Sequence, residues 1–206
     1  TLDRTFASRR ASVARPLADV APADGDDRVY TLRTAGQVFE RVRTMLAEAR
    51  KIALIDAFPR ALDVIGAAAH EAVARGITVA IKAYAPVEPH GRMTVFVEPD
   101  ETIGKHWPGE WLNVVVDGAE YLLAFLSTDL ATVHQAVWSG SPYLSWVYHS
   151  ALAMEMSMTG VEAYARGVPR GDPLHKLVAR GRTLTSRDTP GYAALIDRFT
   201  KRRGSR

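Results

Sequence analysis

The sequence of 206 residues contains no cysteine, which excludes a disulfide framework and cysteine-based zinc sites. This absence suits a reducing compartment, and we expect the protein to be cytoplasmic. No apolar run approaches the roughly 20 residues that a membrane-spanning helix requires, and the first residues lack the apolar core of a signal peptide. The sequence therefore predicts a soluble protein with no membrane partner.

Several chemical signatures are also missing. The six histidines show no His-Glu-x-x-His spacing and have no cysteines to accompany them. There is no glycine-rich phosphate loop and no Gly-x-Ser-x-Gly nucleophile elbow. We therefore predict no metal site and no cofactor.

The charge of the chain is nearly balanced, with 26 basic and 23 acidic side chains and a net charge of +3. Much of the basic excess lies near the two ends. Basic tails attract phosphate backbones, but solvated helix ends explain these residues more simply. We find no direct reader of nucleic acid among them.

Residues 1–27 are predicted to form a helical linker. Apolar residues between Leu2 and Val20 recur at a spacing near that of a helical stripe, although Pro16 interrupts it. The end of this segment, residues 21–27, is a loop by composition.

The compact domain is predicted to cover residues 28–165 and to be of the α/β class. Thr34 and Gln37 form a capping-box signature that begins a helix over 35–49. The strand, helix and strand that follow, over 51–83, form a βαβ unit, which requires parallel strands and a right-handed crossover.

A β-hairpin is predicted over residues 111–126, because Asp117-Gly118 is a strong signal for the turn between its strands. Beyond Thr128 we expect the chain to be helical. A long helix over 142–165 closes the domain, and residues 166–206 form a C-terminal helical extension.

The hairpin resembles the catalytic hairpin of the phospholipase D superfamily, whose pattern is His-x-Lys, four residues, Asp, six residues, Gly-Ser-x-Asn. Counting back from Asp117 places Glu110 at the His position and Leu112 at the Lys position. The Gly, Ser and Asn positions hold Ala124, Phe125 and Ser127. A carboxylate repels phosphate and a leucine cannot stabilise the developing charge. The resemblance implies a phospholipase-D-like mixed sheet flanked by helices, without the catalysis.

Four segments, residues 52–57, 74–82, 116–124 and 136–145, are similar to the effector domain of TrmB-like transcriptional regulators. That resemblance covers about residues 28–165 and implies a domain that senses small molecules, typically sugars. Members of that family carry a winged helix-turn-helix, joined by a helical linker. DNA contact is therefore expected only through such a reader, which is absent from this chain, and a homodimer is expected.

Alternate residues of a strand share one face, so Glu110 and Leu112 are predicted to mark the vacated catalytic pocket. Leu112, Phe125 and Trp138 are also plausible core residues, and Trp107 could be a pocket lid or an interface anchor. The candidate ligand-binding residues, several of them placed by the family arrangement, are Glu110, Leu112, Phe125, Ser127, Trp138, Ser139, Tyr143 and Trp107.

The leading hypothesis is a non-catalytic, dimeric effector-sensing domain of a TrmB-like regulator, with sugars among the candidate effectors. One alternative is a diverged phosphodiesterase or other hydrolase that uses Glu110, a histidine and Asp117 in a new arrangement. Another is a structural dimerisation module whose pocket is filled.

Overall fold

The computed structural model describes residues 27–100, 102–167, 173–185 and 187–200, which form a seven-stranded mixed sheet with helices on both faces. The strands are β1 (Tyr30–Thr31), β2 (Ile52–Ala57), β3 (Thr78–Ala83), β4 (Met93–Val97), β5 (Glu110–Val116), β6 (Glu120–Leu126) and β7 (Val133–Ser139). The helices are α1 (Ala35–Glu48), α2 (Pro59–Ala74), α3 (Ile103–His106), α4 (Pro142–Ala165), α5 (Leu174–Leu184) and α6 (Pro190–Thr200). The predicted α/β class is confirmed. The predicted linker, residues 1–27, lies outside the described residues except for Asp27.

The strands follow the order β1-β7-β6-β5-β2-β3-β4 across the sheet. Strands β2, β3 and β4 are parallel, while β5, β6, β7 and β1 join them in antiparallel pairs. The predicted βαβ unit is confirmed as β2–α2–β3, with adjacent parallel strands.

Helix α1 begins where the sequence predicts it. The Thr34 hydroxyl accepts a hydrogen bond from the Gln37 amide at 3.2 Å, and the Gln37 side chain accepts one from the Thr34 amide at 3.2 Å. This reciprocal pair satisfies two amides that a helix start leaves unpaired. Helix α2 begins at Pro59, and Gly76 follows its end with a φ of 89° that favours glycine.

The β5–β6 hairpin turns at Asp117 and Gly118, which have φ angles of 56° and 61°. The Asp117 carboxylate also accepts hydrogen bonds from the backbone amides of Arg50, Lys51 and Ile52, at 2.8, 2.8 and 2.9 Å. Asp117 therefore anchors the turn to the start of β2, in addition to suiting the turn itself.

The expectation that the chain is helical beyond Thr128 is wrong for residues 133–139, which form strand β7. This strand pairs with β6 on one side and β1 on the other. Its sequence, Val-His-Gln-Ala-Val-Trp-Ser, buries Ala136 and Trp138 on one face, at the period of two that strands require. The two neighbouring strands therefore determine its structure.

The two faces of the sheet bury different sets of side chains. On the α1/α2 face, Leu112, Val114 and Val116 of β5 pack in one core with helices α1 and α2. On the α4 face, Val115 of the same strand packs in a second core, to which α4 and α5 contribute. Alternation along each strand thus assigns every side chain to one of two environments.

Helices α5 and α6 pack against α4, and α6 also contacts the hairpin turn. The Gly191 amide donates to the Asp117 carbonyl at 2.9 Å, and a Cβ at Gly191 would lie 1.9 Å from the Gly118 carbonyl oxygen. Only glycine permits this close approach. Within the described chain, no helix combines the length and the apolarity needed to cross a membrane.

Candidate functional site

A groove opens on the α4 face, between α4 and the sheet. It consists of two cavities of about 270 and 360 Å³. Both linings include Asn113, Leu123 and Tyr148, so one cavity continues into the other. Pockets for small molecules usually have volumes of about 300–1,000 Å³. The groove can therefore hold a molecule the size of a metabolite.

The larger cavity, which we call the aromatic cleft, is walled by Trp107, Trp111, Phe125 and Tyr148. The Trp107 ring stands edge-on to the rings of Trp111 and Phe125, with centroids 5.0 and 5.9 Å apart. Phe58 supports Trp111 from behind, at a centroid distance of 4.3 Å. Trp107 is still 46% exposed, so its ring has surface left for a ligand.

The smaller cavity, which we call the acidic cavity, is lined by the carboxylates of Asp56 and Glu155. Asp56 is buried at the carboxyl end of β2, where its Oδ1 accepts from the Tyr84 hydroxyl at 3.0 Å. Its Oδ2 accepts from the Asn113 side chain at 2.9 Å. Each oxygen can accept a further hydrogen bond. The cavity therefore offers acceptors to a ligand.

Burial raises the pKa of the Asp56 carboxyl above its usual range, and the hydrogen bond from Asn113 offsets only part of this effect. The negative charge of Glu155 raises that pKa further. Burial also raises the pKa of the Tyr84 phenol, and the adjacent Asp56 charge adds to the effect. The Tyr84 hydroxyl therefore keeps its proton and serves as a donor to Asp56.

The ammonium of Lys82 lies between two further carboxylates. Its Nζ is 2.6 Å from Glu155 and 3.4 Å from Glu98. Burial lowers the pKa of Lys82, but the hydrogen bond to Glu155 and the surrounding negative charges outweigh burial and raise it. Lys82 also pairs in register with Asp56 on the neighbouring strand. Lys82 is thus protonated and forms ion pairs with Glu98 and Glu155.

Trp111 brings an unused donor to the junction of the two cavities. Its indole Nε1 is buried near the Asp56 carboxylate and lowers the pKa of that group slightly. The nitrogen nevertheless lacks the geometry of a hydrogen bond to any residue in the described chain. Because this nitrogen is also shielded from solvent, it favours the charged form of Asp56 without being open to a ligand.

The candidate residues predicted from the sequence do not share one pocket. Glu110, Leu112 and Trp138 lie on the α1/α2 face, opposite the groove. Leu112 and Trp138 are fully buried, so they are core residues. Trp138 donates from Nε1 to Glu120 at 2.9 Å, and the Arg41 guanidinium stacks 3.6 Å from the centre of its ring.

Glu110 caps a helix. Its carboxylate accepts a hydrogen bond from the Ala61 amide, at the start of α2, at 3.3 Å. Burial raises the pKa of Glu110, and the amides of Ala61 and Arg60 lower it. The N-cap residue of α2, Phe58, has no polar side chain, so a carboxylate from β5 takes that role.

Three other candidates have separate local roles. The Ser127 hydroxyl donates to Asp129 at 2.6 Å within the β6–β7 turn. The Ser139 hydroxyl donates to the Arg28 carbonyl at 2.7 Å. Tyr143 is exposed and lines a separate open cavity of about 410 Å³ with residues of α6. None of the three lines the groove.

Phe125 and Trp107, two of the candidate residues, line the groove. Sequence reasoning missed Asp56, Asn113 and Glu155. A usable signal was present, since Asp56 and Lys82 are charged residues near the carboxyl ends of two adjacent, largely apolar parallel strands. Proteins of the α/β class often bind ligands at this edge of the sheet.

The residues named for the hydrolase alternative are not brought together. Glu110 begins β5 and Asp117 follows its end, so the two lie about 20 Å apart along an extended strand. Each carboxylate is already engaged by backbone amides. Among the described residues, no group of three or more histidine, aspartate or glutamate side chains is arranged to hold a metal ion.

Comparison with known proteins supports the fold. No protein-family model matches the sequence, and no curated protein matches it. NucT from Helicobacter pylori has a similar structure, with a TM-score of 0.50 and 11% identity over 65% of this chain and 98% of that chain. TrmBL2, an archaeal chromatin protein that shows a novel mode of DNA binding, has a TM-score of 0.47 and 14% identity over 74% of this chain. The matched part spans 62% of the TrmBL2 chain.

Proposed function

We propose that this chain is a non-catalytic, small-molecule-sensing domain of a TrmB-like transcriptional regulator, and that the groove on the α4 face binds its effector. The observation that supports this proposal is the combination of aromatic walls and polar acceptors in one open groove. Apolar walls with a few placed polar groups are typical of sites that bind small molecules.

The absence of catalysis is part of the proposal. The two positions that would carry the nucleophile and its cationic partner hold Glu110, which caps α2, and Leu112, which lies in the core. Neither side chain can take part in phosphoryl transfer from its present position. We expect the protein to bind its ligand in the cytoplasm and release it unchanged.

Signalling would use helix α4, which forms one wall of the groove through Tyr148, Leu152 and Glu155. Helices α5 and α6 pack on this same helix. A ligand that prefers one position of α4 would shift the population of that position, and with it the helices beyond. A DNA reader attached elsewhere in such a regulator would respond to that shift.

The proposal is tested by titrating a broad metabolite panel, sugars included, while following tryptophan fluorescence and melting temperature. Trp107→Ala should weaken the binding of any hit about tenfold, which is about 1.4 kcal/mol. The matched control is Trp146→Ala, because Trp146 lies against Tyr192 at 5.9 Å and does not line the groove. Equal losses in both variants, or no hit at all, would argue against effector binding in the groove.

Dimerisation is a second candidate function, favoured by an apolar stripe on α4. Tyr143, Val147, Met154 and Met158 are 58%, 40%, 59% and 57% exposed. At 3.6 residues per turn they fall within an arc of about 60°. No charged residue belongs to this stripe, so two copies could pack along it without like-charge repulsion.

The dimer proposal predicts that Met154→Lys shifts the protein to monomer in sedimentation-velocity experiments, while Glu162→Lys, on the same helix outside the stripe, does not. A wild-type protein that sediments as a monomer at high concentration would exclude dimerisation through α4.

A further inference from the structure

We infer that the ligand of the groove is an organic cation, with its ammonium or amidinium group beside Asp56 and Glu155 and its apolar body in the aromatic cleft. This inference rests on the proposed function, because it names the chemical class of the effector for the same groove.

The charges around the groove are the first support. Asp56 and Glu155 line the acidic cavity, and Glu98 stands behind it on Lys82. Three carboxylates thus surround a single ammonium group. In the described residues, neither cavity has a lysine or arginine in its lining. An anionic ligand would meet carboxylates with no cation to receive it, whereas a cationic ligand would reduce the excess negative charge.

The titration of Asp56 is consistent with this charge imbalance. The pKa of its carboxyl is raised first by burial, and the charge of Glu155 raises it more than the charge of Lys82 lowers it. The negative charge of Glu155 thus acts on Asp56 at the floor of the groove even with Lys82 in place. A bound cation would lower the pKa of Asp56 again, so cation binding should release protons when Asp56 is partly protonated.

The aromatic cleft supplies the second support. The Trp107 ring is 46% exposed and Tyr148 is 38% exposed, and both line the cleft beside Trp111. Electron-rich aromatic faces attract cations, tryptophan most strongly, and the attraction increases where water is excluded. The cavity that carries the carboxylates shares Tyr148 with this cleft. One molecule can therefore contact an aromatic face and a carboxylate together.

The experiment compares three probes that share a phenyl ring and differ in charge: benzyltrimethylammonium, benzyl alcohol and phenylacetate. Binding is measured by calorimetry and tryptophan fluorescence at neutral pH. We expect the cation to bind at least tenfold more tightly than the neutral probe and phenylacetate to bind most weakly. Adding salt should weaken the binding of the cation and leave the affinity of the neutral probe unchanged.

Glu155→Gln tests the source of the preference. Its side chain is half exposed and the change leaves Lys82 paired with Glu98, so we expect the melting temperature to fall only modestly. The change should lower the affinity for the cation about tenfold and leave the affinity for the neutral probe unchanged. Glu162→Gln is the control on the same helix, because Glu162 forms a more exposed ion pair with Arg166, away from the groove. It should change neither affinity.

The outcomes separate this inference from the proposed function. If the neutral probe or a sugar binds as tightly as the cation, the charge inference is overturned while effector binding stands. The same conclusion follows if Glu155→Gln leaves cation affinity unchanged. If neither the three probes nor the metabolite panel bind, effector binding itself fails, and the inference with it.

Discussion

The two faces of the sheet differ in whether their polar side chains line open cavities. On the α1/α2 face each prominent polar side chain has a structural partner: Glu110 caps α2, and Glu120 bonds Trp138 and Arg41. On the α4 face, Asp56 and Glu155 have partners as well, but both carboxylates also line open cavities. One sheet therefore combines a closed face that stabilises the fold with an open face that can exchange partners.

Leu112→Ala should give the largest effect. Leu112 is fully buried on the α1/α2 face, and such truncations cost about 2–5 kcal/mol because a cavity remains. Leu123→Ala is the matched change on the α4 face, where the partly exposed side chain lines the groove, and should cost roughly 1 kcal/mol. Urea denaturation compares the two. Equal losses would show that the α4 face is packed as fully as the other.

Asp117→Ala should have the next largest effect and lower the free energy of unfolding by about 3 kcal/mol. The change leaves the amides of Arg50, Lys51 and Ile52 without their acceptor, and each buried unpaired amide costs about 1–3 kcal/mol, partly recovered by water. Thermal denaturation measures the loss. Asp129→Ala, in the exposed β6–β7 turn, is the control, and an equally large effect there would contradict the anchoring role of Asp117.

Glu110→Gln should cost about 1 kcal/mol, because it removes a negative charge from the start of α2. It should leave the affinity of any ligand in the groove unchanged, since Glu110 lies on the other face. Chemical denaturation and ligand titration are run on the same samples. Phosphodiesterase activity that Glu110→Gln abolishes would instead support the hydrolase alternative.

The titration of His149 should produce the smallest effect, a change of less than about 1 kcal/mol in the free energy of unfolding as the pH is varied. Burial lowers the pKa of its imidazole, and the hydrogen bond to the Leu184 carbonyl and the charge of Asp117 offset this only in part. The folded state therefore favours the neutral ring. Its contribution to stability is fully present above the unfolded pKa near 6.5 and is lost as the pH falls through the lower folded value.

Denaturation curves between pH 5 and 8 test this contribution, roughly the range in which histidine titrates. The raised pKa values of Asp56, Glu110 and Glu120 stabilise the folded state as the pH falls, which opposes the effect of His149. The wild type is therefore compared with His149→Gln, which keeps these carboxyl groups. The variant should lose less stability than the wild type as the pH falls. Parallel curves would mean that His149 titrates normally.

The sequence predicted those elements that local chemistry determines. The capping box at Thr34 and Gln37 fixes the start of α1, and Asp117-Gly118 fixes the hairpin turn. Strand β7 was missed because its pairing with β6 and with β1, which lies at the start of the described domain, determines its structure.

The site was predicted only in part for a related reason. Alternation shows that Glu110 and Leu112 share a face, but it cannot show which helices cover that face. Trp107 and Phe125 do reach the groove, whereas Asp56 and Glu155 come from elements 99 positions apart in the chain. Their proximity depends on how α4 crosses the sheet, which no residue pattern records.

The two ends of the β5–β6 hairpin contact different parts of the molecule. The turn end touches α6 with no space for even a methyl group, and the other end carries Trp111 and Phe125. Strands β5 and β6 are bonded along their whole length, and β2 and β7 hold them from either side. One continuously paired segment of the sheet therefore joins the aromatic wall of the groove to the contact with α6.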